Sequence, residues 1–424
     1  MNAFSANRPA PNSAPPSELL VLVTGSVPEG SGLSSSSAMT TASAILVQEA
    51  AARRTGPGAL DRKQVTEVAI ESERLVGVNS GGMDQSASMF SQTGHLLNVQ
   101  FVPELKATAV KLPATKPAVS FVIANTLVHS PKHVTAKFNY NCRVVETRLA
   151  ARLLAKHLKK VALPPLASPT PLTLKAVVDA YFHPATPPDT PPQHPSNLAT
   201  AAPAVPSSAL PGSTATHSYE LQTMLGFAAA ALGGPGMEDG VTWAEVAERL
   251  DEPEEAIRAG LVGKTEVEPR GGKFKVWTRC RHVLTEALRV YQFRELLEEA
   301  SANADNDTTG GTDSSELLGK LGALMDSSMA SCQADFECSC PELDELCALA
   351  RERGSLGSRL TGAGWGGATV HLVPESKVEA FLKALREEYY AKHLPELTPE
   401  ELDDVAFATK PESGAGVFEF LKPE

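Results

Sequence analysis

The 424-residue sequence has little that would take it to a membrane, an oxidising compartment or a nucleic acid. No apolar run approaches the ~18 residues that a membrane-crossing helix requires. LLVLV at 19–23 also lacks the basic lead and cleavage site of a secretory leader. Six cysteines in so long a chain make no disulfide framework, which suits a reducing, cytosolic setting. Cys332, Cys338, Cys340 and Cys347 gather in SCQADFECSCPELDELC, but their spacing fits no common zinc pattern and no histidine joins them. Basic residues are outnumbered by acidic ones, 38 to 50, and a net charge of −12 argues against a nucleic-acid surface. The knot of Lys156, Lys159 and Lys160 reads as a solvated helix end.

What remains is an ordinary globular composition, 42% hydrophobic and 21% charged, on a chain long enough for two domains. Residues 1–17, rich in Pro, Ser, Ala and Asn, read as a disordered tail. Leu19–Thr24 reads as a buried strand and Ala38–Arg53 as a helix. Residues 61–78 read as a second helix with Val65, Val68 and Ala69 at helical spacing, and GHLLNVQF as a strand. SFVIANTLV at 120–128 has strand length and composition, and KFNYNCRVVETRLAARLLAKHL looks helical after it.

Residues 163–216 are proline-dense and read as an irregular insert, interrupted by one helix-like stretch, LTLKAVVDAYF. Helical patterns resume from about Tyr219. Near the end, GATVHLV is a strand, and SKVEAFLKALREEYY is an amphipathic helix with Val378, Phe381, Leu382, Leu385 and Tyr389 on one face. The alternation of strands and helices implies layered α/β or α+β domains, divided as 18–117 and 118–424.

Three glycine-bearing stretches carry candidate chemistry. In PEGSGLSSSSA (28–38), Gly30 and Gly32 permit close backbone approach to a ligand, and four serines lead into a helix. A helix start presents unpaired N–H groups and the positive end of its dipole, which suits phosphate. Serine hydroxyls can add an oxygen ligand for Mg²⁺. No lysine follows Gly32, so this is not a Walker loop, and an ordinary capped helix fits the loop equally well. VGVNSGGMDQ (76–85) sets one carboxylate, Asp84, just after paired glycines, and TGAGWGG puts four glycines between positions 362 and 367 directly before a strand.

Together with FVIANTLV (121–128), NYNCRVVE (139–146), ECSCPELDELC (337–347) and GSRLTGAGWGGATVHLVP (357–374), these stretches resemble the galactokinases of the GHMP kinase superfamily, above all the fungal ones. The resemblance spans residues 18–424 in family order. It implies an α+β fold of two domains, an N-terminal one resembling ribosomal protein S5 domain 2 and a ferredoxin-like C-terminal one, with the active site between them. It also implies transfer of the γ-phosphoryl of ATP to the 1-hydroxyl of α-D-galactose, with Mg²⁺.

By the same resemblance, Gly30, Ser31, Gly32, Leu33, Ser34, Ser35 and Ser36 match the phosphate loop. Ser36 and Glu73 match the magnesium ligands, and Asp84 the catalytic base. Tyr140 and Ser80 match positions near the sugar, and Gly362, Ala363 and Gly364 match the third motif that supports the loop. Physically this agrees with phosphoryl transfer, which asks mainly for positioning and for neutralised charge. A carboxylate near the sugar hydroxyl can orient it and take its proton.

One family feature is missing. Nothing like the signature GRVNLIGEHTDYNGG, which brings the sugar-gripping residues and an arginine thought to assist Asp84, occurs in the sequence. A chain without that segment is expected to leave an unpaired sheet edge and exposed apolar surface, to fold weakly and to show little transfer activity. Two other readings stand beside the enzyme. One is a non-catalytic sensor of galactose and ATP that engages a transcriptional repressor. The other is a different GHMP kinase, such as one acting on N-acetylgalactosamine, mevalonate or homoserine. The sensor form typically lacks a Ser-Ala pair in the serine loop, whereas this loop keeps its full length, which favours the enzyme.

Overall fold

The computed structural model describes residues 20–25, 27, 33–55, 60–75, 81–128 (except 103), 135–184 (except 167 and 169), 214–306 (except 235, 238 and 264) and 313–418. The tail at 1–17, the greater part of the proline-dense insert (185–213), Gly30, Ser31, Gly32 and Ser80 lie outside the described residues.

The first elements among the described residues are three helices, α1 (Ser35–Thr55), α2 (Arg62–Leu75) and α3 (Met83–Phe90). They pack on one another through small or slender side chains, Ala42, Val65, Ala69, Ile70 and Met89, all under 9% exposed. Val65 and Ala69 take the buried face of α2, but Val68 stands 46% exposed, so the apolar stripe is narrower than its spacing implied. A hairpin, β1 (His95–Gln100) with β2 (Lys106–Lys111), follows; His95 lies opposite Lys111 and Gln100 opposite Lys106.

The strand expected at Leu19–Thr24 does not form over the described residues 20–24. Leu20 is 96% and Leu22 87% exposed, and no described strand pairs with them. Apolar alternation shows that a segment can pair, but a strand exists only where a neighbour supplies the ladder.

The second half centres on a four-stranded antiparallel sheet of β3 (Val119–Asn125), β4 (Gly357–Leu360), β5 (Ala368–Pro374) and β6 (Ala406–Thr409), in the spatial order β4-β5-β3-β6. With β3 counted as the first strand of this unit, the order is 4-1-3-2 read from the β6 edge, the ferredoxin-like arrangement.

A mostly helical excursion separates β3 from β4. It runs through α4 (Tyr140–Leu158), α5 (Leu174–Phe182), α6 (Thr214–Leu232), α7 (Trp243–Leu250), α8 (Glu254–Val262), α9 (Val276–Asn306), α10 (Ser315–Ser331) and α11 (Pro341–Glu352). A π-helical turn, Cys332–Phe336, follows α10. α4 is buried on nearly every side, with Arg143, Glu146 and Arg152 among its buried residues, and serves as the centre of a helical core with α5 to α9.

On one face of the sheet α11 and α12 (Val378–Leu385) bury Leu346, Phe381 and Leu385 against Val122 and Val373. On the other, α9 and α10 meet β5 and the β1–β2 hairpin around Leu297, Leu321 and Leu372. Cys332, Cys338 and Cys347 are core residues beside Met329, Leu343 and Leu360, and all six cysteines are free thiols.

Candidate active site

α1 begins where the chain turns sharply. Ser34 sits at φ 62°, and its carbonyl accepts the Ala38 N–H at 3.1 Å, the first bond of the helix. A non-glycine residue in this region costs roughly 1 kcal/mol or more and needs surrounding structure to hold it there. α3 begins at Gly82, φ 91°, where a Cβ would come within 2.3 Å of Ile70 Cδ1. The left-handed backbone favours glycine here, and the close approach of α2 to α3 accompanies Asp84, half-buried, in the first turn of α3.

Glu73, near the end of α2 and 2% exposed, ties the three helices together. It accepts the Ser36 hydroxyl at 2.6 Å, the Ser37 hydroxyl at 3.2 and 3.3 Å on its two oxygens, and the Gln85 side-chain amide. The structure thus brings Ser36 and Glu73, from different helices, into direct contact. The pair offers a hydroxyl and a carboxylate oxygen, donors of the kind that Mg²⁺ selects. No described group of three or more His, Cys, Asp or Glu could hold a metal by itself. The donor set therefore fits Mg²⁺ only if other oxygens, such as those of a nucleotide, complete its shell.

Leu33, Ser34, Thr41 and Asp84 line one wall of a cleft of about 810 Å³. The opposite wall is Thr361, Thr409 and the segment Glu412–Val417. The Thr41 hydroxyl, on a residue 1% exposed, has no hydrogen-bond partner among the described residues. A buried unpaired hydroxyl beside a cleft is a ready contact for a polar ligand.

Other expected residues are not among those that line this cleft. Ser35 is the first residue of α1 and Tyr140, 42% exposed, the first of α4; neither lines the cleft. Gly362, Ala363 and Gly364 follow Thr361 directly but are not lining residues either.

The glycine loop they start is tightly pinned. Gly362, Gly364, Gly366 and Gly367 all have positive φ, as does Trp365 at 56°. A Cβ on Gly364 would stand 2.0 Å from the Cys338 carbonyl oxygen, and one on Gly366 2.3 Å from that of Val128. Trp365 donates its backbone N–H to Cys338 O at 2.7 Å and its indole N–H to Glu337 O at 3.0 Å.

Behind the loop lies a buried ion network that sequence reading missed. Glu146 accepts Arg143 Nη1 at 3.0 Å, Arg279 Nε at 2.9 Å and the Lys275 backbone N–H at 2.9 Å. Arg279 reaches on to the Glu337 carboxylate at 2.9 Å and to the Asp335 carbonyl, and Arg143 donates to the Phe336 carbonyl. Burial works against the Glu337 carboxylate, yet Lys275 and Arg279 hold it below the usual range. The Arg and Glu of NYNCRVVE, one helical turn apart, were the available signal.

Comparison with known proteins places these features in a family. Residues 5–92 match the profile described as the GHMP kinases N terminal domain, and residues 314–391 match GHMP kinases C terminal. The galactokinase of Saccharomyces cerevisiae is 37% identical over 414 residues, covering 96% of this chain and 72% of that protein. That of Dictyostelium discoideum is 37% identical over 404 residues, covering 93% and 69%. Among solved structures, the galactose complex of Lactococcus lactis galactokinase aligns with a TM-score of 0.51 at 19% identity, over 92% of this chain and 68% of that one, a likeness of fold. The chain belongs to the galactokinase family of GHMP kinases.

Proposed function

We propose that this chain, a sugar kinase, transfers the γ-phosphoryl group of ATP to the 1-hydroxyl of α-D-galactose, giving galactose 1-phosphate. In this reading residues 18–117 form the nucleotide domain and 118–424 the second domain. The Gly30–Ser36 loop and the start of α1 receive the phosphates, whose charge the helix N–H groups offset. Ser36 and Glu73 hold Mg²⁺, which supplies charge neutralisation to the transferring group. Asp84 orients the sugar hydroxyl and accepts its proton. Ser80 and Tyr140 contact the sugar, and Gly362, Ala363 and Gly364 brace the phosphate loop. Six free thiols suit a reducing compartment, so we place the protein in the cytosol.

The observation that carries this reading is the shared cleft: Ser34, which caps α1, and Asp84, which opens α3, line it together, with the Ser36–Glu73 pair behind them. Asp84→Asn tests it. Galactose-dependent phosphoryl transfer should fall by about 10²- to 10⁴-fold, the range typical of a lost proton acceptor, while MgATP affinity stays within about twofold. Turnover near that of the parent would remove Asp84 from the role.

A further inference from the structure

The residues after β6 leave their own sheet and run to the helix that carries Asp84. Lys410 pairs with Glu375 at 2.6 Å at the near end. From there the Pro411 carbonyl accepts the Gly94 N–H at 3.0 Å, and Ser413 meets Thr93 side chain to side chain at 3.0 Å. The Gly414 N–H then donates to Ser91 O at 2.8 Å, and the Ala415 N–H to Ser88 O at 2.6 Å. Ser88 lies in the last turn of α3, and Ser91 is its C-cap. Carbonyls at a helix end have no partner within the helix, and a helix of only eight residues depends on what caps it.

The docking leaves no slack. A Cβ on Gly414 would lie 2.9 Å from both Ser88 O and Met89 O, so the strap comes as close to α3 as a backbone can. Asp84, Ala87, Ser88 and Ser91 share one face of α3, spaced by three and four residues, and all line the cleft together with Glu412–Val417.

We propose that residues 411–417 are a positioning strap for the reaction: by capping the C-terminal carbonyls of α3 from the other half of the molecule, they fix where Asp84 stands in the cleft. The strap ties the carboxylate to the β3–β6 pair, so the two walls of the cleft keep a set distance. This proposal rests on the reading of Asp84 as the sugar-facing carboxylate.

The test uses the full chain with Ala415→Pro, which removes the N–H given to Ser88, and Ala415→Gly, which keeps it. Hydrogen exchange in residues 84–91 should quicken by about fivefold in Ala415→Pro, as expected for a lost cap, with β3 and α4 unchanged. kcat should fall roughly tenfold or more with KM for ATP nearly constant, because a small displacement of a reacting group costs rate rather than nucleotide binding. Ala415→Gly should return both readouts to within about twofold of the parent, since the cap itself is intact.

Unchanged exchange in α3 for Ala415→Pro would overturn the capping, and faster exchange with unchanged kcat would overturn the positioning. Asp84→Asn measured alongside separates the two ideas. If that variant keeps its turnover, the role of Asp84 fails, whereas a normal Ala415→Pro beside an inactive Asp84→Asn condemns the strap alone.

Discussion

The two walls of the cleft are built differently. The wall of Thr361, Thr409 and Glu412–Val417 belongs to the half of the molecule that holds α4, α9, the π turn and the glycine loop, a half backed by deep packing, with Leu149, Leu154, Leu343 and Leu346 fully buried, and by the Arg143–Glu146–Arg279–Glu337 network. The wall from α1 to α3 has a thin core and leaves Val47 67% and Leu75 87% exposed, with Leu20 and Leu22 beside them in the chain almost bare. Its order comes from polar contacts at Glu73 and from the strap of the opposite half. Apolar burial is the dominant favourable term in folding, so the first wall stands on its own packing and the second borrows from it.

The largest effect should come from breaking the sturdy wall at its centre. Glu146, 1% exposed, neutralises Arg143 and Arg279, which are 7% and 1% exposed. Glu146→Ala would leave two guanidinium groups buried without that carboxylate, a loss that costs about 3–5 kcal/mol in comparable sites. Denaturant unfolding followed in α4 and β3 should shift by that amount, and the tight glycine turn at Trp365 should loosen with it. A shift under about 1 kcal/mol would mean the network is incidental and the contrast between the walls overstated.

Much of the sturdy wall could be read in advance, because it is written in residue types. β3, α4, β5 and the α12 face follow from apolar periodicity. Ser36 and Glu73, 37 positions apart, were paired only through family resemblance, since neither residue marks the other locally. The strap left no trace in the sequence. It bridges residues 320 positions apart and acts mainly through backbone amides, which every non-proline residue has. The four glycines of TGAGWGG marked the turn, but the positive φ of Trp365 within it was silent, being imposed by Cys338 and Glu337 rather than by its own preference. The failed strand at Leu19–Thr24 and the exposed Val68 share a cause: an apolar pattern records what a segment can bury, while burial also needs a partner.

Acid should separate the walls next. His371, fully buried between Thr369 at 2.8 Å and Ser358 at 2.9 Å, is pushed down to about 3 by burial, with Arg351 adding to the effect. Burial lowers His282 to about 4 against the pull of Glu286. Both lie below the ~6.5 of an unfolded histidine, so below pH 6.5 the unfolded chain binds protons that the native state refuses. Their stabilisation is complete above pH 6.5 and is lost as pH falls toward 4. By pH 5 the pair should cost the second half of the molecule roughly 4 kcal/mol, at up to about 1.4 kcal/mol per group and pH unit. Residues 35–90 contain no histidine, so α1 to α3 should show no matching loss in hydrogen exchange over the same range. A denaturation midpoint for β3 and β5 that stays flat from pH 7 to 5 would contradict the burial of both imidazoles.

The smallest effect is expected on the thin wall, and its smallness is the informative part. Val47 on α1 and Leu75 at the end of α2 face solvent, so Val47→Ser with Leu75→Ser removes no described contact of consequence. Stability should change by less than about 0.5 kcal/mol, the ordinary range for surface positions. Self-association should fall, because exposed apolar area is what joins such faces. Denaturant unfolding and light scattering of the double variant, run against the parent, measure both. A loss above about 2 kcal/mol would be the signature of a buried side chain. It would mean that this face is covered in solution, that the α1–α3 wall has a core of its own, and that its alignment with Asp84 does not depend on the strap.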